Sequence, residues 1–274
     1  MYYRHNLNFN YPQKCDEHMI TVKHLRDINF DSNYNYYDKT LWNKFKRGVL
    51  LVLLNTLVFP VVTIRHGVKI YGRDVLKKYK KEFKDGAITI SNHVLMWDYI
   101  CILKAIRPRL QYFPAWKTNL EGPNGPLIRW VGGMPVPTGN VRGMAKFQRA
   151  ISEVLEDKKW LHFFPEGSMW FYYPDIRPFK KAVFKYAVKH DKPIIPIAFS
   201  FRERKGITRL FTKTPCVDVN IGEPLFPNKE LDPNLATQEL HQKAYHTVQV
   251  LAGINVGDKT YNVDQNLETY VKTM

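Results

Sequence analysis

The sequence predicts an α/β protein: a single domain with a mixed, largely parallel sheet flanked by helices, preceded by an N-terminal membrane-associating helical segment. Three observations carry that prediction. Short β-rich runs alternate with helical ones from residue 67 onward, as in a sheet covered by helices. A long apolar run stands ahead of the alternation. No repeat and no Gly/Pro/Ser-rich linker divides the chain behind that run.

Residues 1–40 are rich in Tyr and Asn, as in Asn33-Tyr34-Asn35-Tyr36-Tyr37, and poor in aliphatics; they are expected to form an appended polar extension. Residues 41–66 hold the apolar run, 48–64, flanked by Lys44, Lys46 and Arg47 before it and Arg65 after it. The run falls just short of the ~20 apolar residues that span a bilayer, and Asn55 and Pro60 interrupt it. Pro60 lacks an N–H and clashes with the preceding turn, so a helix over 41–59 followed by a bend is expected. A buried core helix, a membrane span and a monotopic helix half-sunk in one leaflet all fit. The short length and basic flanks favour the monotopic form, on a leaflet whose anionic lipids attract Lys and Arg. Behind it, strands are predicted over 68–71, 87–91, 111–115, 133–136, 160–164, 194–201 and 217–221. Helices are predicted over 74–83, 97–106, 141–157, 179–190 and 235–251, the last closed by Gly253 as a C-cap. The folded domain is thus bounded at 67–255, with a polar tail over 256–274.

The 274 residues carry 41 Lys and Arg against 25 Asp and Glu, a formal net charge of +16, which calls for an anionic partner. No zinc finger, helix-turn-helix or ribonucleoprotein signature accompanies the charge, whereas an apolar run does. An anionic membrane surface is therefore expected, and nucleic acid is not. Cys15, Cys101 and Cys216 are far apart and odd in number. They fit neither a disulfide framework nor a CxxC metal site and point to a reducing, cytosolic compartment. The opening Met1-Tyr2-Tyr3-Arg4-His5-Asn6 has neither the apolar core nor the cleavage site of a signal peptide. The expected location is the cytoplasmic face of the cell membrane, monotopic or single-span.

Two short runs carry chemistry. In Ile90-Ser91-Asn92-His93-Val94-Leu95-Met96-Trp97-Asp98, a histidine and an aspartate five residues apart offer a base and a carboxylate to orient it. Residues five apart on an ideal helix lie about 140° out of register, so the pair meets only if His93 precedes a helix that Asp98 begins. In Phe163-Phe164-Pro165-Glu166-Gly167-Ser168, an apolar strand runs into a carboxylate, a glycine and a hydroxyl, a turn suited to gripping a polyol or phosphate. Each run also has a plain reading: Asn92 capping a helix beside a bystander His93, and an ordinary Pro-x-Gly turn. Ser168 lacks the second glycine of a nucleophile elbow. His162 and Glu166 do not form a HExxH zinc pattern, so no metal is expected.

Together, in this order, the two runs resemble the NHx4D and FPEG[ST] hallmarks of the 1-acylglycerol-3-phosphate acyltransferase (PlsC-like) family. The resemblance extends over roughly residues 68–224. Val131-Gly132-Gly133-Met134-Pro135-Val136 matches a second block of that family, but Thr138-Gly139-Asn140 replaces its closing Arg, a phosphate contact, and leaves Arg142 the nearest cation. Met169-Trp170 replaces the Arg that often follows the third block. Phe179-Lys180-Lys181 and Pro193-Ile194-Ile195-Pro196-Ile197 match the stretches downstream, and Lys117 falls where the family often carries basic residues. The resemblance implies an acyltransferase domain that moves a fatty acyl chain from acyl-CoA or acyl-carrier protein to a lysophospholipid, 1-acylglycerol-3-phosphate first among them. The acyl donor is then a substrate, and no cofactor is implied. His93 and Asp98 become the catalytic pair; Asn92, Lys117, Arg142, Glu166, Gly167, Ser168 and Lys180 become substrate-binding residues. Two alternatives stay open: another acceptor, such as a different lysolipid or glycerol 3-phosphate, and a basic membrane-binding protein that kept the fold and lost catalysis. Intact His93, Asp98 and Glu166 argue against the latter.

Overall fold

The computed structural model describes residues 3–206, 209 and 212–254, so the tail expected over 256–274 lies outside the described residues. The strands are β1 (Lys69–Tyr71), β2 (Ile88–Ser91), β3 (Gln111–Trp116), β4 (Gly133–Val136), β5 (Trp160–Phe163), β6 (Ile194–Arg202) and β7 (Cys216–Ile221). They form one seven-stranded sheet in the order β1-β7-β6-β2-β5-β3-β4. The β2–β5, β2–β6, β3–β5, β3–β4 and β1–β7 pairs are parallel, and β6–β7 is antiparallel. The mixed, largely parallel sheet is therefore the one the sequence predicts. β2 is buried at every residue because it lies mid-sheet with helices on both faces, the condition for a near-continuous apolar run.

Helices α7 (Val141–Glu156), α8 (Ala182–Lys189) and α9 (Pro233–Leu251) cover one face. Phe147, Ile151 and Val154 of α7, Phe184 of α8, and Leu240, Ala244 and Val248 of α9 pack there against Ile88, Ile90, Leu161 and Ile194. On the other face lie α3 (Val75–Lys78) and α4 (Asp98–Ile106), with Ile102 and Ile106 against Ile195, Ile197 and Val219. Between β3 and β4 stand α5 (Lys117–Glu121) and α6 (Gly125–Trp130), too short for apolar periodicity to reveal. The helix expected over 74–83 keeps regular geometry only in α3; the rest of that stretch is turns.

The apolar segment departs from expectation. No bend follows residue 59: α1 (Leu41–Leu53), a π-helical turn over Leu54–Val58 and α2 (Phe59–His66) run as one 26-residue helix. The wider turn, in which the Phe59 N–H reaches the Leu54 carbonyl, draws that carbonyl row away from the Pro60 ring. Among the described residues this is one helix long and apolar enough to cross a membrane. One side of it is occupied, since Leu50, Leu54, Phe59 and Val62 pack on α4 and the sheet. The other side exposes Leu41, Trp42, Phe45, Val49, Val52, Leu57, Val61 and Ile64.

Residues 3–40 contain no helix or strand, yet they follow the body closely. His5 and Phe9 lie against Tyr172, Tyr11 against Trp170, and His18 against Trp116; Leu25 and Arg26 donate to the Glu121 carbonyl. Phe30 and Tyr36 are buried. The segment thus crosses the carboxyl-end edge of β2, β5 and β3, where loops of an α/β sheet gather functional groups.

Candidate active site

β2 and β5 are neighbours, so the loops leaving them start side by side. Asp98 opens α4 and His93 stands ahead of it on the loop. The His93 Nδ1 lies 2.5 Å from Asp98 Oδ2. That same oxygen accepts the Val94 and Leu95 amides at 3.1 and 3.3 Å, and Oδ1 accepts the Tyr99 amide at 2.7 Å. Four donors on one buried carboxylate hold it in place. An imidazole that donates Nδ1–H to it keeps its lone pair on Nε2, which has no hydrogen-bond partner among the described residues. The ring stacks on Phe164 at 3.8 Å between centroids, and its side chain is 23% exposed, enough to meet a ligand.

The Glu166 turn is built around a residue the motif reading missed. Arg177 is buried, and its Nη2 donates to Glu166 Oε2 at 2.7 Å while its backbone N–H donates to Oε1 at 2.9 Å. Oε2 also accepts the His93 backbone N–H at 3.0 Å, tying this turn to the histidine loop. Arg177 Nη1 donates to Ser168 Oγ at 2.7 Å and Nη2 to the Ser168 carbonyl. Burial pushes the Glu166 carboxyl up; the Arg177 charge and the two backbone donors pull it back. The sequence assigns Glu166 and Ser168 to substrate, whereas in the structure both side chains are buried and hold this network. Glu166 does have a close structural partner. A buried carboxylate calls for a counter-charge, and that requirement was the one sequence signal for a cation nearby.

Asn92 likewise faces inward. Its Nδ2 donates to the Phe199 carbonyl at 3.1 Å and its Oδ1 accepts the Phe199 N–H at 2.8 Å, closing β2 onto β6. Gly167 adopts φ +83, and a Cβ there would come within 2.9 Å of the Lys180 side chain. Lys180 lies over the turn, half exposed, with its Nζ 3.5 Å from Asp16 Oδ2. Lys117 opens α5 behind β3, partly exposed. Arg142 is exposed near the start of α7, behind edge strand β4, three places from β2 in the sheet. At roughly 4.8 Å per strand that offset exceeds 14 Å, so Lys180 and Lys117 start closer to His93 than Arg142 does.

Beneath the site is a buried polar floor. His162 Nδ1 lies 2.8 Å from Thr89 Oγ1, and that hydroxyl lies 2.9 Å from Gln111 Oε1. Burial first, then the nearby His93, hold the His162 imidazole well below its usual range, so it is neutral. With its hydrogen on Nδ1 it donates to Thr89, which in turn donates to Gln111. Among the described residues no group of three or more His, Cys, Asp or Glu could hold a metal ion.

The His–Asp pair and the Glu-Gly-Ser turn thus stand side by side on adjacent strand ends of an α/β sheet. Residues 67–200 match the Acyltransferase family model, and the fold is PlsC-like. Among solved structures it is similar to the 1-acyl-sn-glycerophosphate (LPA) acyltransferase PlsC from Thermotoga maritima. That likeness has a TM-score of 0.52 and 19% sequence identity, over 78% of this chain and 84% of that one. No curated protein matches the chain in sequence.

Proposed function

We propose that the protein is a membrane-associated O-acyltransferase that moves a fatty acyl chain from an acyl-CoA or acyl-carrier-protein thioester to a lysophospholipid. The preferred acceptor is 1-acylglycerol-3-phosphate, giving phosphatidic acid. The observation that carries this reading is the His93–Asp98 pair at 2.5 Å, with Nε2 left for a substrate hydroxyl. His93 Nε2 takes the hydroxyl proton and Asp98 stabilises the imidazolium. The acceptor oxygen bonds to the thioester carbonyl carbon, the C–S bond breaks, and the imidazolium proton passes to the departing thiolate. The chain forms no covalent bond to the acyl group. Glu166, Ser168 and Arg177 fix the turn, and Lys180 and Lys117 offer charge for an anionic acceptor.

Membrane association rests on the long helix. Its inner stripe is packed lengthwise on the body, so lipid cannot surround it, and its outer apolar stripe suits one leaflet. This favours the monotopic form at the cytoplasmic face over a span. Polar groups within the run are internally bonded: Asn55 Nδ2 to the Leu51 carbonyl at 2.8 Å and Thr56 Oγ1 to Val52 at 2.9 Å. The test is acyl transfer from both donor types to a panel of lysolipids and glycerol 3-phosphate. Wild type should acylate a lysophospholipid, and purified, folded His93→Ala should lose about 10²–10⁴-fold in rate. Near-normal turnover by His93→Ala overturns the mechanism.

A further inference from the structure

Residues 3–20 cross the mouth of the candidate site and bring a second imidazole to it. Trp170 Nε1 donates to the Glu17 carbonyl at 2.9 Å, Arg177 Nη1 to the Cys15 carbonyl at 2.8 Å, and the Phe171 amide lies 3.3 Å from the Met19 sulfur. These contacts carry His18 to the end of β3, where its ring stacks on Trp116 with centroids 3.8 Å apart and planes 9° apart. His93, Lys180, Asp16 and Arg177 all lie within electrostatic reach of it. Three of those four are cations or become one during proton transfer. Arg177 Nη1 and Nη2 are engaged by Glu166, Ser168 and Cys15. Among the described residues the Lys180 ammonium pairs with Asp16 at 3.5 Å, both groups more than half exposed. An exposed ion pair of that kind is worth little and exchanges readily.

We propose that the N-terminal strap completes the acceptor site: His18, set on Trp116, and Lys180 form a subsite for a phosphate monoester, which displaces Asp16 from Lys180 on binding. The inference rests on the acyl-transfer reading for its place in catalysis, but anion binding itself does not depend on it. In the free protein, burial first, then His93 and Lys180, keep the His18 imidazole below its usual range; Arg177 acts in the same sense and Asp16 opposes it. A phosphate dianion beside it reverses that balance and favours the charged ring. His18 therefore joins the anion site as the ligand arrives, and the strap orders the acceptor relative to His93.

The experiment has a binding arm and a kinetic arm. In the full chain, the His18 ring is followed by NMR through a pH titration with glycerol 3-phosphate, inorganic phosphate or glycerol. Glycerol 3-phosphate should raise the His18 midpoint by about one unit, a tenfold preference for the charged ring, and glycerol should leave it in place. Inorganic phosphate acting as strongly as glycerol 3-phosphate would assign the subsite to the anion alone and overturn its role for an acceptor. In the kinetic arm, His18→Gln should raise the KM for a lysophosphatidate about tenfold with kcat and donor KM little changed, and should spare a monoacylglycerol. Asp16→Asn should lower the lysophosphatidate KM. A rise in donor KM that disappears with 3′-dephospho-CoA gives the subsite to the donor and overturns the proposal, as does an unmoved His18 midpoint. If wild type acylates no acceptor, the transfer reading falls while the titration still decides the subsite. If His18→Gln does not fold, the wild-type titration and Asp16→Asn carry the decision.

Discussion

Four groups converge on the Arg177 guanidinium: the Glu166 carboxylate, the Ser168 hydroxyl and carbonyl, and the Cys15 carbonyl. Its face lies 4.5 Å from the Trp170 ring, so both terminal nitrogens and the face of the planar fork are held, while Nε has no hydrogen-bond partner among the described residues. Removing one partner of a buried pair leaves an uncompensated charge, which costs about 3–5 kcal/mol. Arg177→Met should therefore lower unfolding stability by that order in denaturant titrations. Adding Glu166→Gln should restore part of it, since the orphaned charge goes too. Unfolding of Arg177→Met at the wild-type midpoint would show that the pair is not structural. Asp98→Asn acts on a different quantity. Three backbone amides already hold Asp98, and an amide nitrogen at Oδ2 would face the donors Val94 N–H and Leu95 N–H. The variant should lose folding stability as well as rate, and a variant that loses rate alone would limit Asp98 to orienting His93. The His93–Asp98 pair was legible because both partners stand within one short run. Arg177 was not, because its meaning comes from Glu166, Ser168 and Cys15, of which Cys15 lies 162 residues away.

At the scale of elements, legibility followed the source of the order. The central strands showed in the sequence because burial on both faces demands nearly unbroken apolar runs, as around Ile88 and Ile90, whereas edge strand β1 exposes Lys69 and Tyr71. α5 and α6 did not, since five- and six-residue helices owe their form to packing against β3 and β4. The long helix was half legible: its apolar content was plain, but the π turn that carries it past Pro60 left no mark in composition. Its two stripes separate two roles that can be tested apart. Leu57→Asp on the outer stripe should cut binding to anionic vesicles about tenfold or more, as expected for losing an inserted side chain worth 1.5–3 kcal/mol. It should leave the thermal midpoint nearly unchanged. Leu54→Asp on the inner stripe should unfold the protein. Unchanged cosedimentation of a folded Leu57→Asp variant would remove the outer stripe from membrane binding.

The whole molecule carries its histidines in a way that makes acid a threat. His66, His162, His190 and His241 are all held below their usual range, in each case by burial first. An unfolded imidazole gains a proton near pH 6.5, while these folded ones resist it. The unfolded chain thus binds more protons as pH drops, so stability is full above about pH 6.5 and falls below it. For His162, which is fully buried, the loss is about 1.4 kcal/mol per pH unit well below that point. Glu166 and Asp218, raised by burial, act in the opposite sense, so the clean measurement is a difference. Unfolding stability of wild type against His162→Gln, from pH 7 to pH 5, should show the shallower slope in the variant. Parallel slopes would mean that His162 is protonated in the fold.

The strap also bears on the order in which the chain is finished. Residues 5–18 leave the ribosome well ahead of the groups that hold them, since Trp170, Phe171, Tyr172 and Arg177 are made some 150 to 170 residues later. Closing so long a loop costs little more than closing a short one, about 0.6 kcal/mol per doubling, so delay rather than energy is the burden. The apolar helix emerges in the interval and can reach a bilayer before the sheet beneath it exists. On the proposed membrane association, synthesis then delivers a helix already laid on lipid, with residues 5–18 among the last to settle. The strap side of the candidate site is accordingly closed only after β5 and the loop behind it are in place, and a nascent chain released early carries His93 without the segment that crosses above it.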